Sequence, residues 1–384
     1  MTADVIIIGG GISGTATAYN LAKRGVRALL LERDDLASMA SGWTLAGVRQ
    51  SGRHPAELPL AQAAIRRWEQ LDQELGADVE YRQSGNLRLA LTPDDVPTIR
   101  NVVADGNAAG IETHYLDGPD AVREIAPALT PDLAGASFCP SDGHANPNLT
   151  VRAFAAAATR LGAEIRTGVH VTGLTTNGTR ITGVQTTDGP FAAKTVVVAA
   201  GIYTPRLLAP LGLDLPIAVT IVTAIQTVPL PPTLAPVLGV ASGRIAGRQE
   251  VSGRFRLTGS SIPWGEDGIH TPDSVRPSLT QLSDAIARTV RILPGLETAR
   301  LARTWAGLID QSPDAIPVIC SPASHEGLVV AAGFSGHGFC LGPVTGEILA
   351  DLATEGTTAH PIDAFSLERF ASHATTGDVV QLHG

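Results

Sequence analysis

The sequence predicts a two-domain α/β fold, with one domain on a parallel sheet and the other on a mostly antiparallel sheet. The chain has 384 residues, which is more than a single hydrophobic core usually organises. Two continuous apolar segments, Val5–Ile8 and Leu328–Ala332, have the pattern of strands that are buried on both faces, as in parallel sheets. Residues 216–236 are instead rich in Pro, Thr, Val and Leu, and this change in composition indicates strands of a different sheet.

The start of the chain has the pattern of a strand, a glycine-rich turn, a helix and a second strand. The turn Gly9–Gly14 follows Val5–Ile8, and apolar residues at helical spacing predict a helix over Ser13–Arg24. A second buried strand, Ala28–Leu31, ends in Glu32.

The remainder of the chain is predicted to alternate helices with short strands. Helices are expected at Ala61–Leu75, from Thr92 onward, at Leu149–Leu161, at Leu279–Leu293 and from about Val344 to Thr354. Strands are expected near Asn86–Leu91, in a meander of Glu164–Arg166, Val169–Thr175, Arg180–Thr187 and Lys194–Ala199, and at Arg254–Gly259. The polar tail after His373 is expected to be frayed.

Composition and charge exclude several classes of protein. Hydrophobic residues make up 44% of the chain and charged residues 17%, so the chain can bury a large core. The formal net charge of -9 argues against nucleic acid as a partner, because phosphates attract positive charge. No apolar run reaches the roughly 20 residues of a membrane span, and only Met1–Asp4 precede the first strand. Three cysteines without a C-x-x-C pair favour a reducing compartment, so we expect a cytoplasmic protein: Cys139, Cys320 and Cys340.

The motif Gly9-x-Gly11-x-x-Gly14 lies between a buried strand and a helix, where it is typical of dinucleotide binding. Gly9 allows a tight turn, Gly11 allows the backbone to approach a pyrophosphate, and Gly14 allows the helix to pack on the strand. The helix N-terminus then offers free N–H groups to the phosphates. Glu32 is expected to accept hydrogen bonds from ribose hydroxyls, which disfavours NADP. The motif alone does not distinguish FAD from NAD, and a glycine-rich turn without a ligand is the less favoured alternative.

Four segments share their order and spacing, over nearly the whole chain, with a known family. They are Val5–Arg33; Ala40-Ser41-Gly42 with Ala46-Gly47-Val48-Arg49; Asp142-Gly143-His144 with Pro147 and Val196–Gly201; and Trp305-Ala306-Gly307 with Ser312-Pro313-Asp314, Pro317 and Gly333–Phe339. Together they resemble the D-amino-acid-oxidase superfamily of flavoenzymes, in the branch that holds glycine oxidase and sarcosine oxidase. Residues 216–300 match least, as expected of a substrate domain.

The resemblance implies an FAD cofactor extended across a domain of the glutathione-reductase type. Residues 1–80, 145–212 and 303–384 would form this FAD-binding domain, and residues 81–144 and 213–302 the substrate domain. The cofactor residues that the resemblance implies are Gly9, Gly11 and Gly14 at the pyrophosphate, Glu32 and Arg33 at the adenosine, Ser41, Ala46 and Gly47 near pyrophosphate and ring, Val171 at the adenine, Ala200 and Gly201 at the middle, and Gly336, His337, Gly338 and Phe339 at the pyrimidine end of the flavin.

Three positions depart from the family's patterns. Gly307 occupies the position of the cysteine that tethers flavin in single-chain sarcosine oxidases, which implies non-covalent FAD. Cys340 replaces the lysine that helps those enzymes to hold the substrate carboxylate. Glycine oxidase places its carboxylate-binding arginine just after Gly-Leu, whereas Gly307-Leu308 is followed here by Ile309 and Asp310. Both usual carboxylate anchors are therefore missing.

Three side chains are candidates for the active site. His337 is expected near the flavin, either as a donor to ring or substrate or as a histidine held by its glycine-rich turn. Arg49 is the candidate for binding a carboxylate, with a surface arginine or a salt bridge as the alternative. Asp310 is the candidate partner of a cationic amine. Three arginines of the presumed substrate domain are further candidates, of which one would face the site, although each alone is more simply explained as a solvated strand residue: Arg248, Arg254 and Arg256.

The sequence therefore predicts FAD-dependent oxidation of the C–N bond of a small secondary amine or amino acid to an imine, by hydride transfer to the flavin. Oxygen or an electron-accepting partner protein would reoxidise the flavin. The sequence is also compatible with an oligomer. Three alternatives stay open: a β-type flavin subunit of a heteromeric amine dehydrogenase or oxidase, a 2-hydroxy-acid oxidase on the same fold, and a flavin-binding subunit without turnover.

We expect the substitution Gly11→Val to abolish flavin retention, because the added side chain fills the space through which a pyrophosphate approaches the backbone. The flavin content of purified wild type and variant is measured by absorbance after heat release. A variant that remains fully yellow would remove Gly11 from the cofactor site.

Overall fold

The computed structural model describes residues 3–265, 268–271 and 273–371. The strands in this part of the chain are β1 (Val5–Ile8), β2 (Ala28–Leu31), β3 (Gly47–Val48), β4 (Asn86–Ala90), β5 (His114–Asp117), β6 (Gly135–Cys139), β7 (Gly143–His144), β8 (Glu164–Arg166), β9 (Val171–Asn177), β10 (Arg180–Thr186), β11 (Gly189–Ala192), β12 (Thr195–Val198), β13 (Ala218–Thr227), β14 (Val237–Val240), β15 (Ala246–Gln249), β16 (Phe255–Pro263), β17 (Leu301–Gln311), β18 (Val318–Cys320) and β19 (Leu328–Ala332).

The α-helices of the described residues cover the sheets and connect their strands. They are α1 (Ile12–Lys23), α2 (Ala40–Trp43), α3 (Leu58–Trp68), α4 (Leu71–Leu75), α5 (Val96–Ala108), α6 (Gly118–Ile125), α7 (Pro147–Arg160), α8 (Thr204–Leu208), α9 (Leu279–Ile292) and α10 (Gly338–Glu355). None of these helices combines the length and the hydropathy that crossing a lipid bilayer requires.

Six strands form the first sheet, in the order β18-β19-β12-β1-β2-β8. All neighbouring strands are parallel except the edge pair β18 and β19. On the central strand β1, Val5 and Ile7 belong to one hydrophobic cluster, whereas Ile6 and Ile8 belong to another. Successive side chains of a strand point to opposite faces, so β1 is buried on both faces, as its continuous apolar pattern predicts.

Eight strands form the second large sheet, in the order β17-β13-β16-β15-β14-β4-β6-β5. Its pairs are antiparallel except β14 with β4. The predicted fold class, a parallel-sheet domain joined to a mostly antiparallel one, is confirmed. Strand β17 lies at the edge of this second sheet, although the predicted domain division gives residues 303–384 to the FAD-binding domain. The division itself stays a prediction.

The predicted four-strand meander is wrong in part. Its first member, β8, pairs in parallel with β2, and its last, β12, lies between β1 and β19 in the parallel sheet. Only β9 and β10 pair with each other, and β11 completes their antiparallel sheet. The valines of β12 form a continuous buried run, which is the pattern of a central parallel strand rather than of a meander.

Two predicted helices differ from the structure. The helix expected over Ala61–Leu75 consists of α3 and α4, and the apolar pattern hides the break because Trp68, Leu71 and Leu75 all join the same hydrophobic cluster. The last helix begins at Gly338, earlier than expected, although Pro343 lies inside it. Burial of α10 against α1 outweighs the low helix propensity of glycine and proline. The tail after His373 lies outside the described residues.

We expect the substitution Ile7→Ala to lower the free energy of unfolding by about 2–5 kcal/mol, because it leaves a cavity beneath a fully buried strand. The control is Ile262→Ala, at a side chain that is 41% exposed, which should cost far less. Chemical denaturation of both variants measures the difference. Equal losses would show that β1 is not a central core strand.

Candidate cofactor and active site

A long cleft opens where β1, β2 and β12 end, at the carboxyl edge of the parallel sheet. It consists of a narrow cavity of about 330 Å³ and a wide cavity of about 780 Å³. Gly11, Ser41, Ala199, Gly201 and Asp310 line both cavities, so the two are continuous. Ligands of open α/β sheets bind outside the carboxyl ends of the strands.

The glycine turn after β1 leaves no room for side chains. The backbone of Gly9 has φ +112°, and a Cβ there would lie 2.3 Å from the carbonyl oxygen of Ala199. A Cβ on Gly14 would lie 2.0 Å from the carbonyl oxygen of Gly9. Because Gly9 and Gly14 have no side chains, the backbone can pack this closely and the N-terminus of α1 reaches the cleft. Residues 11–13 line the wide cavity there. This geometry fits a diphosphate on backbone amides.

The narrow cavity contains a carboxylate at the end of β2. Glu32 accepts hydrogen bonds from the backbone N–H groups of Gly10 (2.5 Å) and Asp34 (2.8 Å). Burial raises the pKa of Glu32, and these two donors oppose the shift. Arg33 lies 4.6 Å above the ring of Tyr203 in the same cavity. A carboxylate accepts about four hydrogen bonds, so Glu32 retains the capacity to bind ribose hydroxyls.

Three buried arginines line the wide cavity: Arg49, Arg53 and Arg88. Nη1 of Arg49 donates to the backbone oxygens of Ser51 (2.5 Å) and Gly52 (3.3 Å), and Nε of Arg53 donates to the backbone oxygen of Arg49 (3.0 Å). Burial and the neighbouring guanidinium groups lower the pKa of Arg49, and they lower the pKa of Arg88 to about 10. The cluster is therefore a region of concentrated positive charge.

Asp142 fixes the loop that carries two of these arginines. Its carboxylate accepts hydrogen bonds from the backbone N–H groups of Gln50 (2.7 Å) and Ser51 (3.4 Å) and from Oγ of Ser51 (2.5 Å). Burial raises the pKa of Asp142, although these donors and Arg49 oppose the shift. The loop is thus tied to the Asp142-Gly143-His144 segment.

His337 pairs with a buried carboxylate. Its Nδ1 lies 3.2 Å from Oε2 of Glu57, and both side chains are buried. Burial, followed by Arg53, lowers the pKa of His337 to about 4. Burial raises the pKa of Glu57, but His337 and Arg53 outweigh it, so the net shift is downward. At neutral pH a neutral imidazole therefore donates from Nδ1 to an ionised Glu57. Nε2 of His337 has no hydrogen-bond partner in the described part of the chain.

Asp310 lies at the junction of the two cavities. Its Oδ2 accepts a hydrogen bond from the backbone N–H of Gly333 at 2.7 Å. Burial raises the pKa of Asp310 to about 6, although the backbone N–H groups of Gly333 and Phe334 oppose the shift. The carboxylate therefore changes its charge close to physiological pH while it faces the cleft.

Most of the predicted site residues line the cleft. The narrow cavity is lined by Gly9, Gly11, Glu32, Arg33, Ser41, Val171, Ala200 and Gly201. The wide cavity is lined by Gly11, Ser41, Gly47, Arg49, Gly201, Asp310, Gly336, His337, Gly338 and Phe339. Gly14 and Ala46 line neither cavity: Gly14 packs α1 on β1, and Ala46 is buried with its N–H donating to Oγ1 of Thr44.

The expectation that Arg248 and Arg256 are solvated is wrong. Their exposed fractions are 2% and 3%, and neither lines the cleft. Both side chains instead reach the loop after α2, where Arg256 donates to the backbone oxygen of Thr44 and Arg248 to that of Leu45. Arg256 also forms an ion pair at 2.6 Å with Glu250, which directly follows β15. Arg254 is half-buried and donates to the backbone oxygen of Thr227.

Sequence reasoning missed Arg53, Arg88 and Glu57. The sequence did contain a signal for Arg88. This charged residue interrupts the apolar strand β4, and its side chain points to the opposite face of the strand from the buried Leu87 and Leu89. Arg53 follows Arg49 in the same loop, but the loop's path is not visible in its composition. Glu57 has no local signal, since its partner His337 is 280 residues away in sequence.

Comparison with known proteins decides the family. A family model for FAD-dependent oxidoreductases, named DAO, matches residues 4–352. The chain belongs to the DAO family. A relative is the sarcosine oxidase subunit beta of an Arthrobacter species, which is 31% identical over 399 residues; the alignment covers 99% of this chain and 93% of that protein. Glycine oxidase from Geobacillus kaustophilus is 28% identical over 377 residues, covering 95% of this chain and 97% of that protein.

Solved structures of this DAO-family fold superimpose over almost the full chain. Glycine oxidase from Geobacillus kaustophilus has a TM-score of 0.89 at 28% identity, covering 96% of this chain and 99% of that chain. L-proline dehydrogenase from P. horikoshii has a TM-score of 0.88 at 28% identity, covering 96% and 98%. The predicted family, the FAD cofactor and the oxidoreductase class are therefore confirmed for this DAO-family member.

We expect Asp310 to make stability pH-dependent. Its pKa of about 6 lies above the ordinary value of about 3.9. The folded state therefore holds a proton that the unfolded state has lost between about pH 4 and 6. Relative to an Asp310→Asn variant, the free energy of unfolding of the wild type should fall by up to about 3 kcal/mol as pH rises through this window.

Chemical denaturation of the flavin-free proteins at several pH values measures this difference. The Asn variant is the matched control, because its amide oxygen can still accept the Gly333 N–H. A difference that does not change with pH would contradict the raised pKa.

Proposed function

We propose that the chain oxidises the C–N bond of a carboxylate-bearing secondary amine or amino acid to an imine. One observation carries the proposal: Nη1 of Arg53 is buried and has no hydrogen-bond partner among the described residues, and Arg53 lines the wide cavity. A buried charged donor without a partner is costly. An anionic group that enters the cavity would remove this cost.

The charge balance of the cluster supports a substrate with one carboxylate. Three guanidinium groups lie near two buried carboxylates, those of Glu57 and Asp142. Even with both carboxylates ionised, the cluster carries one excess positive charge. The carboxylate would bind mainly to Arg53, and Arg49 and Arg88 would supply the surrounding positive field. These arginines would replace the lysine and the arginine that bind the carboxylate in the sarcosine oxidases and glycine oxidases.

Oxidation requires the neutral form of the amine. A free amine has a pKa near ~10 and is mostly protonated at neutral pH. The bound amine must therefore lose a proton before its C–N bond is oxidised. Bound FAD would supply the acceptor for a hydride from the carbon next to the nitrogen, and water would hydrolyse the resulting imine. The relatives' names, which contain sarcosine, glycine and L-proline, are consistent with an amine that carries a carboxylate.

The cysteines support non-covalent cofactor binding. All three are free and buried, and none lines either cavity. Gly307, at the position that carries the tether in single-chain sarcosine oxidases, lines the wide cavity without a reactive side chain. Free thiols also favour a reducing compartment, so the cytoplasmic location is proposed as well.

A second candidate function is supported by the similarity to a sarcosine oxidase subunit beta over 99% of this chain. In that case the chain would pass electrons to a partner protein rather than to oxygen. Anaerobic reduction by substrate, followed by mixing with oxygen, separates the two: fast reoxidation with peroxide formation favours an oxidase, and slow reoxidation favours the partner-dependent enzyme.

We expect Arg53→Gln to raise the KM for carboxylate-bearing amines about 10- to 100-fold, because a charged hydrogen bond contributes about 1.5–3 kcal/mol. The control is Arg66→Gln, at an exposed arginine of α3, which should leave KM unchanged. Sarcosine, glycine and L-proline are compared with dimethylamine, which lacks the carboxylate.

Two results would contradict the proposal. One is an unchanged KM for sarcosine, glycine and L-proline in Arg53→Gln. The other is flavin reduction by dimethylamine at least as efficient as by the carboxylate-bearing amines in the wild type.

A further inference from the structure

Three consecutive backbone carbonyls beside the wide cavity accept hydrogen bonds from side chains of the eight-stranded sheet. We call residues Trp43–Leu45 the clamped loop. The hydrogen bonds run from Nε1 of Trp305 to Trp43 O (3.0 Å), from Nη1 of Arg256 to Thr44 O (2.8 Å) and from Nε of Arg248 to Leu45 O (2.6 Å). The donors lie on β17, β16 and β15, so three strands of the eight-stranded sheet hold three successive peptides of the loop after α2.

The two arginine donors are fixed by further contacts. Nε of Arg256 donates to Glu250, and its guanidinium lies 5.2 Å from the ring of Trp305. Nη2 of Arg248 donates to the backbone oxygen of Ala145 at 2.9 Å, and Nη1 lies 2.9 Å from Nδ1 of His144. Long side chains held at several points direct their hydrogen bonds with little freedom. The clamped loop is therefore rigidly placed.

The clamped loop separates its donors from the cleft. Trp43, Thr44 and Leu45 line the wide cavity, whereas Arg248, Arg256 and Trp305 do not. The three donor side chains can therefore influence a ligand in the wide cavity only by positioning the clamped loop. They do not contact a substrate directly.

The carbonyl contacts also determine where the loop's N–H groups point. In a trans peptide the N–H points opposite to the preceding C=O. When a carbonyl points toward the eight-stranded sheet, the N–H of the next residue therefore points away from the sheet. Thr44 N–H donates to Ala40 O, and Ala46 N–H donates to Oγ1 of Thr44. In the described part of the chain, the Leu45 N–H donates to no hydrogen-bond acceptor. It is the donor of this loop that remains for a ligand in the wide cavity.

We propose that Arg248, Arg256 and Trp305 are positioning residues that orient the clamped loop so that Leu45 N–H donates a hydrogen bond to the flavin ring. Through these three residues, the eight-stranded sheet would set both the affinity of the protein for the flavin and the flavin's spectrum, without contacting the flavin. The proposal concerns cofactor positioning and does not depend on which substrate is oxidised.

The test substitutes Arg256 by lysine. A lysine keeps the positive charge beside Glu250 but lacks the second nitrogen that reaches Thr44 O. The matched control is Arg254→Lys, because Arg254 also donates to a backbone carbonyl, that of Thr227, but not to the loop. FAD affinity of the flavin-free protein is measured by fluorescence titration, and the visible spectrum and midpoint potential of the bound flavin are recorded.

We expect Arg256→Lys to weaken FAD binding about tenfold, the effect of losing one hydrogen bond from a charged donor, and to shift the flavin spectrum and potential. Arg254→Lys should match the wild type. Trp305→Phe is the second variant: it removes one indole N–H, keeps an aromatic ring beside Arg256, and should shift the same readouts.

Melting temperatures of the flavin-free proteins separate positioning from general damage. If Arg256→Lys and Trp305→Phe bind FAD with wild-type affinity, spectrum and potential, the proposal is wrong. It is also wrong if Arg254→Lys changes these quantities as much as Arg256→Lys does. Because no substrate is used, these outcomes leave the assignment of Arg53 untouched.

Discussion

The close contact between Gly14 and the carbonyl of Gly9 is the constraint that places helix α1 against strand β1 at the cleft. A Cβ on Gly14 would lie 2.0 Å from that oxygen, so only a bare backbone lets α1 pack this closely on β1. Helix α1 in turn packs on α10, whose first residues line the wide cavity. One close approach therefore helps to set the spacing between the glycine turn and the wide cavity.

The wide cavity is organised by buried charge rather than by close packing. Arg49, Arg53, Glu57 and His337 are all buried, and their hydrogen bonds fix one another. Groups of this kind cost free energy unless they are paired. Among the described residues of this cavity, Nη1 of Arg53 and Nε2 of His337 are buried without a hydrogen-bond partner, and a buried polar atom of this kind requires an explanation such as a ligand or an ordered water.

The narrow cavity could be predicted from sequence because its signals are local: a buried strand, three spaced glycines and an acid at the end of the next strand. The contacts of the wide cavity could not, because they join distant residues. His337 was expected near the flavin, and it lines the wide cavity, yet its ring pairs with Glu57, 280 residues away. Arg256 was expected to be solvated because the local sequence shows no partner for it. The backbone oxygen that it binds belongs to Thr44, which is 212 residues away. No periodicity reveals such pairs.

The interleaved strand order has a consequence for synthesis on the ribosome. Strand β1 pairs with β12, which pairs with β19, and β4 pairs with β14. Neither large sheet is complete until a long stretch of later sequence has emerged. Nascent chains of this protein therefore expose one unpaired edge of β1 until β12 has emerged, near the middle of the chain. Such topologies fold slowly because distant segments must meet, and edges that stay unpaired during synthesis are sites where aggregation can begin.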